Sequence, residues 1–384
     1  MVVDLTQGIA GPYSAMMLAQ FGANVIKVEP VGGGDWMRGG AREPGGHTGP
    51  SIMGNLGKRS LALDLKSEPG KDILWRLLER ADVFLESFRP EVIGRLGFSF
   101  EDVEKRNPDI IYGSLSGFGR SGSLARMAAV DPILQAFSGF MTQNLAADGS
   151  PTKSDAIPID LMAGVYFFAP ISAALYGRRG QGECRATHVD MSLMETGAWL
   201  SLYGALKEVV GAGQQQGRPI NGAFRTQDGW ILVTVAFDRE FPRLCAALGD
   251  EALASDPRFA TTELQFENHA DLLGALDRAL AAAPSAHWVD RFSRFDVMHS
   301  VVNDPEAFRA HPGVRESGLF AMLNQPGVDV AVPIPRLPGA PHFCAGDPTA
   351  AAPRAGQHSI AILEELGYAS EEVADLISGG VVSG

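Results

Sequence analysis

The chain has 384 residues, of which 45% are hydrophobic and 20% charged, with a formal net charge of −13. That length predicts two or more domains with substantial cores. The acidic balance argues against a general nucleic-acid binder or a binder of anionic membranes, and it leaves room for a small anionic ligand only where a local basic patch receives it.

Strand and helix signals alternate from the start. Residues 2–6 read as a strand, Gly11-Pro12 opens a helix through Phe21, and residues 24–29 form the next strand. The Gly/Pro-rich stretch 32–54 predicts a long loop. Residues 61–65 are strand-like, and 70–81 has helical periodicity with Ile73, Leu74, Leu77 and Leu78 on one face. A strand at 82–86, short helices at 91–96 and 100–106, and a strand at 109–116 follow. This β-α-β rhythm predicts an α/β fold whose parallel sheet carries helices on both faces.

Asp160 then precedes an uncharged run from Leu161 to Gly177, which stops at Arg178 and Arg179. The run is shorter than the roughly 20 residues of a membrane span, and Pro170 interrupts it, so a buried core helix is expected. Residues 187–193 add a strand. A long helix over 195–211 reads as a connector, and 214–219 is polar. Residues 223–226 and 230–235 flank Asp228-Gly229 as a β-hairpin, and helical segments fill 239–294. The Pro- and Gly-rich region 319–356 is expected to return to the first domain, before helices at 358–367 and 370–377. The predicted organisation is a large domain from 1–195 and 320–384, a connector over 196–214, and a smaller α+β domain over 215–319.

Gly117-Phe118-Gly119-Arg120-Ser121-Gly122 has dinucleotide-loop spacing, but it sits far from the first β-α turn and no acid lies at the required distance beyond it. It reads as a tight turn or a loop over some other ligand. Lys58, Arg59, Lys66, Arg89 and Arg95 form a dispersed basic set near predicted strand ends; taken alone they read as a solvated face. Asp72 and Arg76 read as a helix-surface pair. The eight histidines lack metal-ligand spacing, and no G-x-S-x-G elbow occurs. Cys184, Cys245 and Cys344 lie far apart without a C-x-x-C, so no disulfide framework or zinc site is expected, and a reducing cytoplasm is. The first residues carry an acid at position 4 and no basic region, which does not suggest a signal peptide. Asp160 itself reads two ways. It can cap the helix that follows, or, held ionised at a helix N-terminus, it can attack an activated acyl group.

Several motifs together resemble the class III CoA-transferases of the formyl-CoA and carnitine type. They are Asp4-Leu5-Thr6-Gln7-Gly8-Ile9-Ala10-Gly11-Pro12, Phe21-Gly22-Ala23-Asn24-Val25-Ile26-Lys27-Val28-Glu29-Pro30, Asn55-Leu56-Gly57-Lys58-Arg59-Ser60 with Leu63-Asp64-Leu65-Lys66, and Glu86-Ser87-Phe88-Arg89-Pro90 leading to Arg95-Leu96-Gly97. Gly117-Phe118-Gly119, Gly356-Gln357-His358 and Glu364-Glu365-Leu366-Gly367-Tyr368 continue the series. The resemblance implies a large Rossmann-like domain, a small middle domain and an interlocked homodimer. It implies acyl-CoA and carboxylic acid substrates, with no metal and neither nucleic acid nor membrane as partner. Asp160 falls at the family's catalytic aspartate, whose carboxylate takes the acyl group as an anhydride and then carries CoA as an aspartyl thioester. Ile9 and Ala10 fall near the thiol end of coenzyme A. Leu63, Asp64, Leu65, Lys66, Ser87, Phe88, Arg89 and Arg95 match positions that hold its adenine, ribose and phosphates. A departure from the family pattern and a competing reaction class stand out. The small-domain stretch 217–224, glycine-rich in some members, has only Gly217 and Gly222. The 2-methylacyl-CoA racemases, which share this fold, place a histidine before the aspartate matching Asp131, where this chain has Val130. A non-catalytic CoA-binding relative and an unrelated α/β protein are the remaining alternatives.

Overall fold

The computed structural model describes residues 1–39, 46–146, 148–178, 185–210, 218–344 and 347–384. Arg179, Cys184, and 214–217 of the polar segment lie outside the described residues. The chain divides into two compact units, Met1–Gly204 with Leu319–Gly384, and Ala205–Gly318.

In the larger unit the expected alternation takes the form β1 (Val2–Asp4), α1 (Ala10–Gln20), β2 (Val25–Glu29), α2 (Gly49–Met53), β3 (Arg59–Leu63), α3 (Glu68–Leu78) and β4 (Val83–Glu86). It continues through α4 (Pro90–Leu96), α5 (Phe100–Arg106), β5 (Ile111–Ser116), α6 (Asp131–Phe137), α7 (Pro158–Gly177) and β6 (Thr187–Ser192) to α8 (Leu193–Val210), whose residues from Ala205 onward belong to the smaller unit. The stretch expected as one long loop, 32–54, in fact holds a 3₁₀ turn at Trp36–Arg38 and the short helix α2, which Thr48 opens with a capping box.

Successive strand residues point to opposite faces. Val3, Leu61, Leu63 and Phe84 therefore join Ile73, Leu74, Leu77 and Leu78 of α3 in one core, while Val2, Val83 and Leu85 join Phe167 and Ile171 of α7 in the other. Each such side chain contributes about 1.5–3 kcal/mol on burial, against about 0–1 kcal/mol for a surface ion pair. The two covered faces of the sheet, rather than its periphery, hold this unit together.

The strand order is β12-β3-β2-β1-β4-β5-β6. The first six strands pair in parallel, but β12 (Val382–Ser383) runs antiparallel along β3. The sheet is thus mixed, not wholly parallel as expected, because the chain turns back after helix Ser370–Ser378 and covers the free edge of β3. A two-residue strand carries no periodicity a sequence could reveal. The order reverses between β1 and β4, and in open α/β sheets ligands bind in the crevice outside the carboxyl ends at such a switch point.

Helix α7 departs from the buried-core expectation. It is 20 residues long and continues through Pro170, and by length and composition alone it could cross a membrane. Only Ile159, Ala163, Gly164, Phe167 and Ile171 are buried, while Val165, Tyr166 and Tyr176 face outward. One stripe meets the sheet and the rest is open.

The smaller unit contains the expected hairpin, β7 (Asn221–Arg225) with β8 (Trp230–Thr234), and a third strand, β9 (Met298–Val301). Helices pack over it around Ile231, Leu244, Leu276, Trp288 and Phe292. The Pro-rich return segment forms a further hairpin, β10 (Phe320–Leu323) with β11 (Val332–Pro335), within the larger unit.

Candidate active site

A cleft of ≈ 410 Å³ opens outside the carboxyl ends of β1, β4 and β5. Residues 7–11 line it after β1, Ser87 after β4, and Ser116 and Gly117 at the end of β5, with Asp131, Ile157 and Asp160 from the starts of α6 and α7. A second cavity of ≈ 400 Å³, between α1, α2 and the β10–β11 hairpin, is lined mainly by apolar residues and holds no acid.

Close helix packing brings Asp160 to the first cleft. A side chain at Gly164 would stand 2.9 Å from the Ala10 carbonyl oxygen and 2.8 Å from the Tyr13 ring, so the glycine lets α7 press against α1. Phe167 and Ile171, fully buried, fix the helix to the sheet one and two turns later. Asp160, one turn before Gly164, then stands beside the Ile9-Ala10 turn that opens α1.

Asp160 is not the cap that an aspartate at a helix mouth suggests. It is the third residue of α7, and Ile157 occupies the cap position with left-handed backbone (φ 46°, ψ 52°) and no side-chain cap. Left-handed geometry costs an L-residue about 1–2 kcal/mol and is rare for a β-branched one. The capping comes from another helix. The buried Asp131 Oδ2 accepts the Ile159 N–H at 2.8 Å and the Asp160 N–H at 3.1 Å, while its Oδ1 accepts from Gln135 Nε2. Burial, together with the neighbouring Asp131 charge, pushes the Asp160 carboxyl up from 3.8 to about 7. Among the described residues no donor bonds that carboxylate. It is a half-buried acid on the cleft wall, ionising near neutrality and with its lone pairs uncommitted, which suits a nucleophile.

The loop facing Asp160 rests on buried charge. Gly8 N–H donates to Asp35 Oδ2 at 3.1 Å, Gln7 N–H donates to Ser87 Oγ at 2.8 Å, and Lys27 Nζ donates to the Thr6 carbonyl and Asp35. Lys58 Nζ donates to Asp4 Oδ2 at 2.7 Å, to the Pro12 carbonyl at 2.9 Å and to Asn55 Oδ1 at 3.1 Å. Lys58 is therefore a buried strut, not part of a solvated face, and Arg59 is engaged in a bidentate pair with Glu365. No side chain caps α1, so its first-turn N–H groups at Ala10 and Gly11 are free to stabilise an oxyanion in the cleft.

Ile9, Ala10, Ser87 and Asp160 thus share one cleft. Phe88 and Arg89 line an adjoining cavity of ≈ 220 Å³ that has Ser87, Ser116, Gly117 and Ala129 in common with it. Leu63 ends β3, Asp64, Leu65 and Lys66 follow it, and Arg95 lies in α4; none of these lines either cavity. The Leu63 side chain is buried in the core, which leaves it no ligand-facing surface, and Asp64 Oδ1 accepts the Lys66 N–H. Lys66, Arg89 and Arg95 are exposed and make no ion pair among the described residues. Arg76 does not pair with Asp72; its guanidinium stacks 4.4 Å from the Tyr368 ring centroid. Asp131 was missed as a site residue, since nothing local links it to a helix that starts 27 positions later. Among the described residues no group of three or more His, Cys, Asp or Glu could hold a metal ion.

The model for CoA-transferase family III matches residues 1–359. The chain is 37% identical over 299 residues to acetyl-CoA:oxalate CoA-transferase of Acetobacter aceti, covering 76% of each protein. It is 28% identical to succinyl-CoA:glutarate CoA-transferase of Homo sapiens over 99% of this chain and 88% of that protein. The crystal structure of a CAIB/BAIF family protein from Brucella suis superposes with a TM-score of 0.83 at 27% identity, covering 95% of this chain and 97% of that one.

Proposed function

The chain belongs to CoA-transferase family III, and from that premise we propose that it moves coenzyme A from an acyl-CoA donor to a carboxylic acid through covalent intermediates on Asp160. The observation that carries this reading is the placement of that carboxyl: on the cleft wall at the switch point, beside the α1 turn, with no hydrogen bond to its oxygens among the described residues. Its ionised form attacks the thioester carbonyl and the C–S bond breaks, giving an aspartyl–acyl anhydride and CoA thiolate. The thiolate attacks the aspartyl carbonyl and releases the donor carboxylate, leaving an aspartyl-CoA thioester. An acceptor carboxylate then attacks that thioester and the sequence runs back to a new acyl-CoA. Ala10 and Gly11 N–H groups serve the oxyanions. A nucleophile titrating near neutrality is largely ionised above pH 7 and more basic than an ordinary aspartate.

Coenzyme A would run from Ile9 and Ala10 past Ser87, Phe88 and Arg89, with Lys66 and Arg95 as exposed cations for its phosphates and the 63–66 backbone beside its adenosine. We propose a homodimer, supported by the outward apolar side chains Val165, Tyr166, Tyr176, Trp199 and Tyr203. The substrates named in the relatives make oxalate, succinate and glutarate the first acceptors to test. A racemase would need a second acid–base group, and Val130, at the position of the racemase histidine, cannot supply one.

The test is Asp160→Ala with acyl-CoA donors against a panel of carboxylic acids. Loss of exchange with coenzyme A binding retained is expected, as is hydroxylamine or borohydride trapping at the Asp160 peptide of the unmodified enzyme. Undiminished turnover in the variant would remove Asp160 from the reaction.

A further inference from the structure

The arginine of the segment 117–122 lines neither cavity. It turns back to the ends of the strands. β4 and β5 lie side by side, with Glu86 opposite Ser114. Beyond them the chain diverges into the two walls of the ≈ 220 Å³ cavity, residues 87–90 on one side and Ser116, Gly117, Ala125 and 127–129 on the other. The second wall is a loop whose ends touch: a Cβ at Gly117 would stand 2.1 Å from that of Ala129. Gly119 (φ +92°) and Gly122 (φ +84°) supply the left-handed turns that reverse it.

From that reversal Arg120 Nη1 donates to Glu86 Oε1 at 3.0 Å and to Ser114 Oγ at 3.3 Å. The other Glu86 oxygen, Oε2, accepts the Phe88 N–H at 2.8 Å. One carboxylate thus holds both walls, the first by its backbone and the second by its arginine. The side chain of Glu86 is 0% exposed and that of Arg120 21%. An exposed pair would contribute little, but here loss of the guanidinium leaves a buried carboxylate without the charge that balances it, so it must take up a proton or the loop must open to water. Burial already pushes the Glu86 carboxyl above its ordinary range, and Ser114, the Phe88 N–H and Arg120 draw it back.

We propose that the Glu86–Arg120 ion pair is a latch that fixes the spacing of these two loops and so holds the cavity at the width coenzyme A requires. Both are positioning residues, and the inference rests on the reading of this crevice as the coenzyme A site. Neither touches the reacting atoms, so their loss should weaken binding and spare the chemistry of Asp160.

The test is calorimetric titration of coenzyme A into the full-length protein and its Arg120→Met, Arg120→Lys, Glu86→Gln and Glu86→Gln/Arg120→Met variants, with steady-state kinetics on each. Arg120→Met is expected to raise Kd for coenzyme A and KM for acyl-CoA about tenfold, the scale of a lost charged hydrogen bond, with kcat within about twofold. Arg120→Lys should restore most of the affinity, and the double variant should be no worse than either single one. Unchanged affinity in Arg120→Met and Glu86→Gln, no rescue by lysine, or additive losses in the double variant would each overturn the latch, the last by showing that Arg120 touches the ligand itself. Glu86→Gln and Arg120→Lys keep side-chain volume, and glutamine replaces one accepting oxygen by an amide that cannot accept from Arg120 Nη1 or the Phe88 N–H, so they decide the matter if Arg120→Met does not fold. A wild-type protein that takes up no coenzyme A would sink the underlying reading of the crevice, whereas wild-type binding with unaltered variants defeats the latch alone.

Discussion

Asp160→Asn is expected to stabilise the protein in alkaline solution while abolishing transfer. The folded carboxyl titrates at about 7 against an ordinary 3.8, so the folded state holds the proton more tightly than the unfolded chain. The stabilisation that follows is complete below pH 3.8 and is lost as pH rises through 7. At about 1.4 kcal/mol per pH unit, the ionised side chain costs at most about 4 kcal/mol above that range. Its partial exposure brings the figure below this ceiling. Asparagine has the same shape and no charge at any pH, and no hydrogen bond to the carboxylate is lost. Urea unfolding of both proteins is the assay, and the variant's advantage should grow by up to about 2 kcal/mol between about pH 5.5 and about pH 8.5. A constant difference across that interval, or a variant less stable at the alkaline end, would refute the strained-acid account of this side chain. Activity would then have been placed where it costs no stability, contrary to the usual trade.

Three further outcomes follow from the same geometry. The acid limb of kcat/KM should have its midpoint near 7, and Asp131→Asn, by removing the neighbouring charge, should move it to lower pH; a limb unmoved by that substitution would count against the coupling. Alanine at Lys66, Arg89 or Arg95 should raise KM for acyl-CoA by up to about tenfold each, with a shallower salt dependence and little change in kcat; kcat-only losses would contradict phosphate contact. Lys58→Met should cost about 3–5 kcal/mol in urea unfolding because Asp4 is left buried without its partner, whereas Arg59→Ala, which breaks a more exposed pair with Glu365, should cost about 1 kcal/mol or less.

The parts of the fold that were legible are those whose residues answer to one local rule. Ile73, Leu74, Leu77 and Leu78 disclose α3 because a single face of a helix repeats every three to four residues. Strands β1 to β5 stand out because a sheet covered on both sides demands short apolar runs between helical stretches. Lys58 deceived by the same logic: a cation in a sequence reads as solvent-facing until Asp4, distant in the chain, is found beside it. Asp160 stood out because it opens an uncharged run, but its setting did not, since Asp131 reaches it from a separate helix. Arg120 was read with the glycines around it, although its partner is a glutamate on the preceding strand.

The edge strand at Val382–Ser383 bears on how the polypeptide is made. The strand that closes the rim of the sheet is synthesised long after β3, the strand it covers. Contacts such as Ala62 N–H to Ser359 Oγ span 297 positions, with the entire smaller unit translated in between. A nascent chain therefore leaves the ribosome with β3 still open along one side, a template for stray pairing until Val382 and Ser383 emerge. Synthesis that stalls before Val382 emerges, or substitutions that displace Val382 from β3, should lower soluble yield.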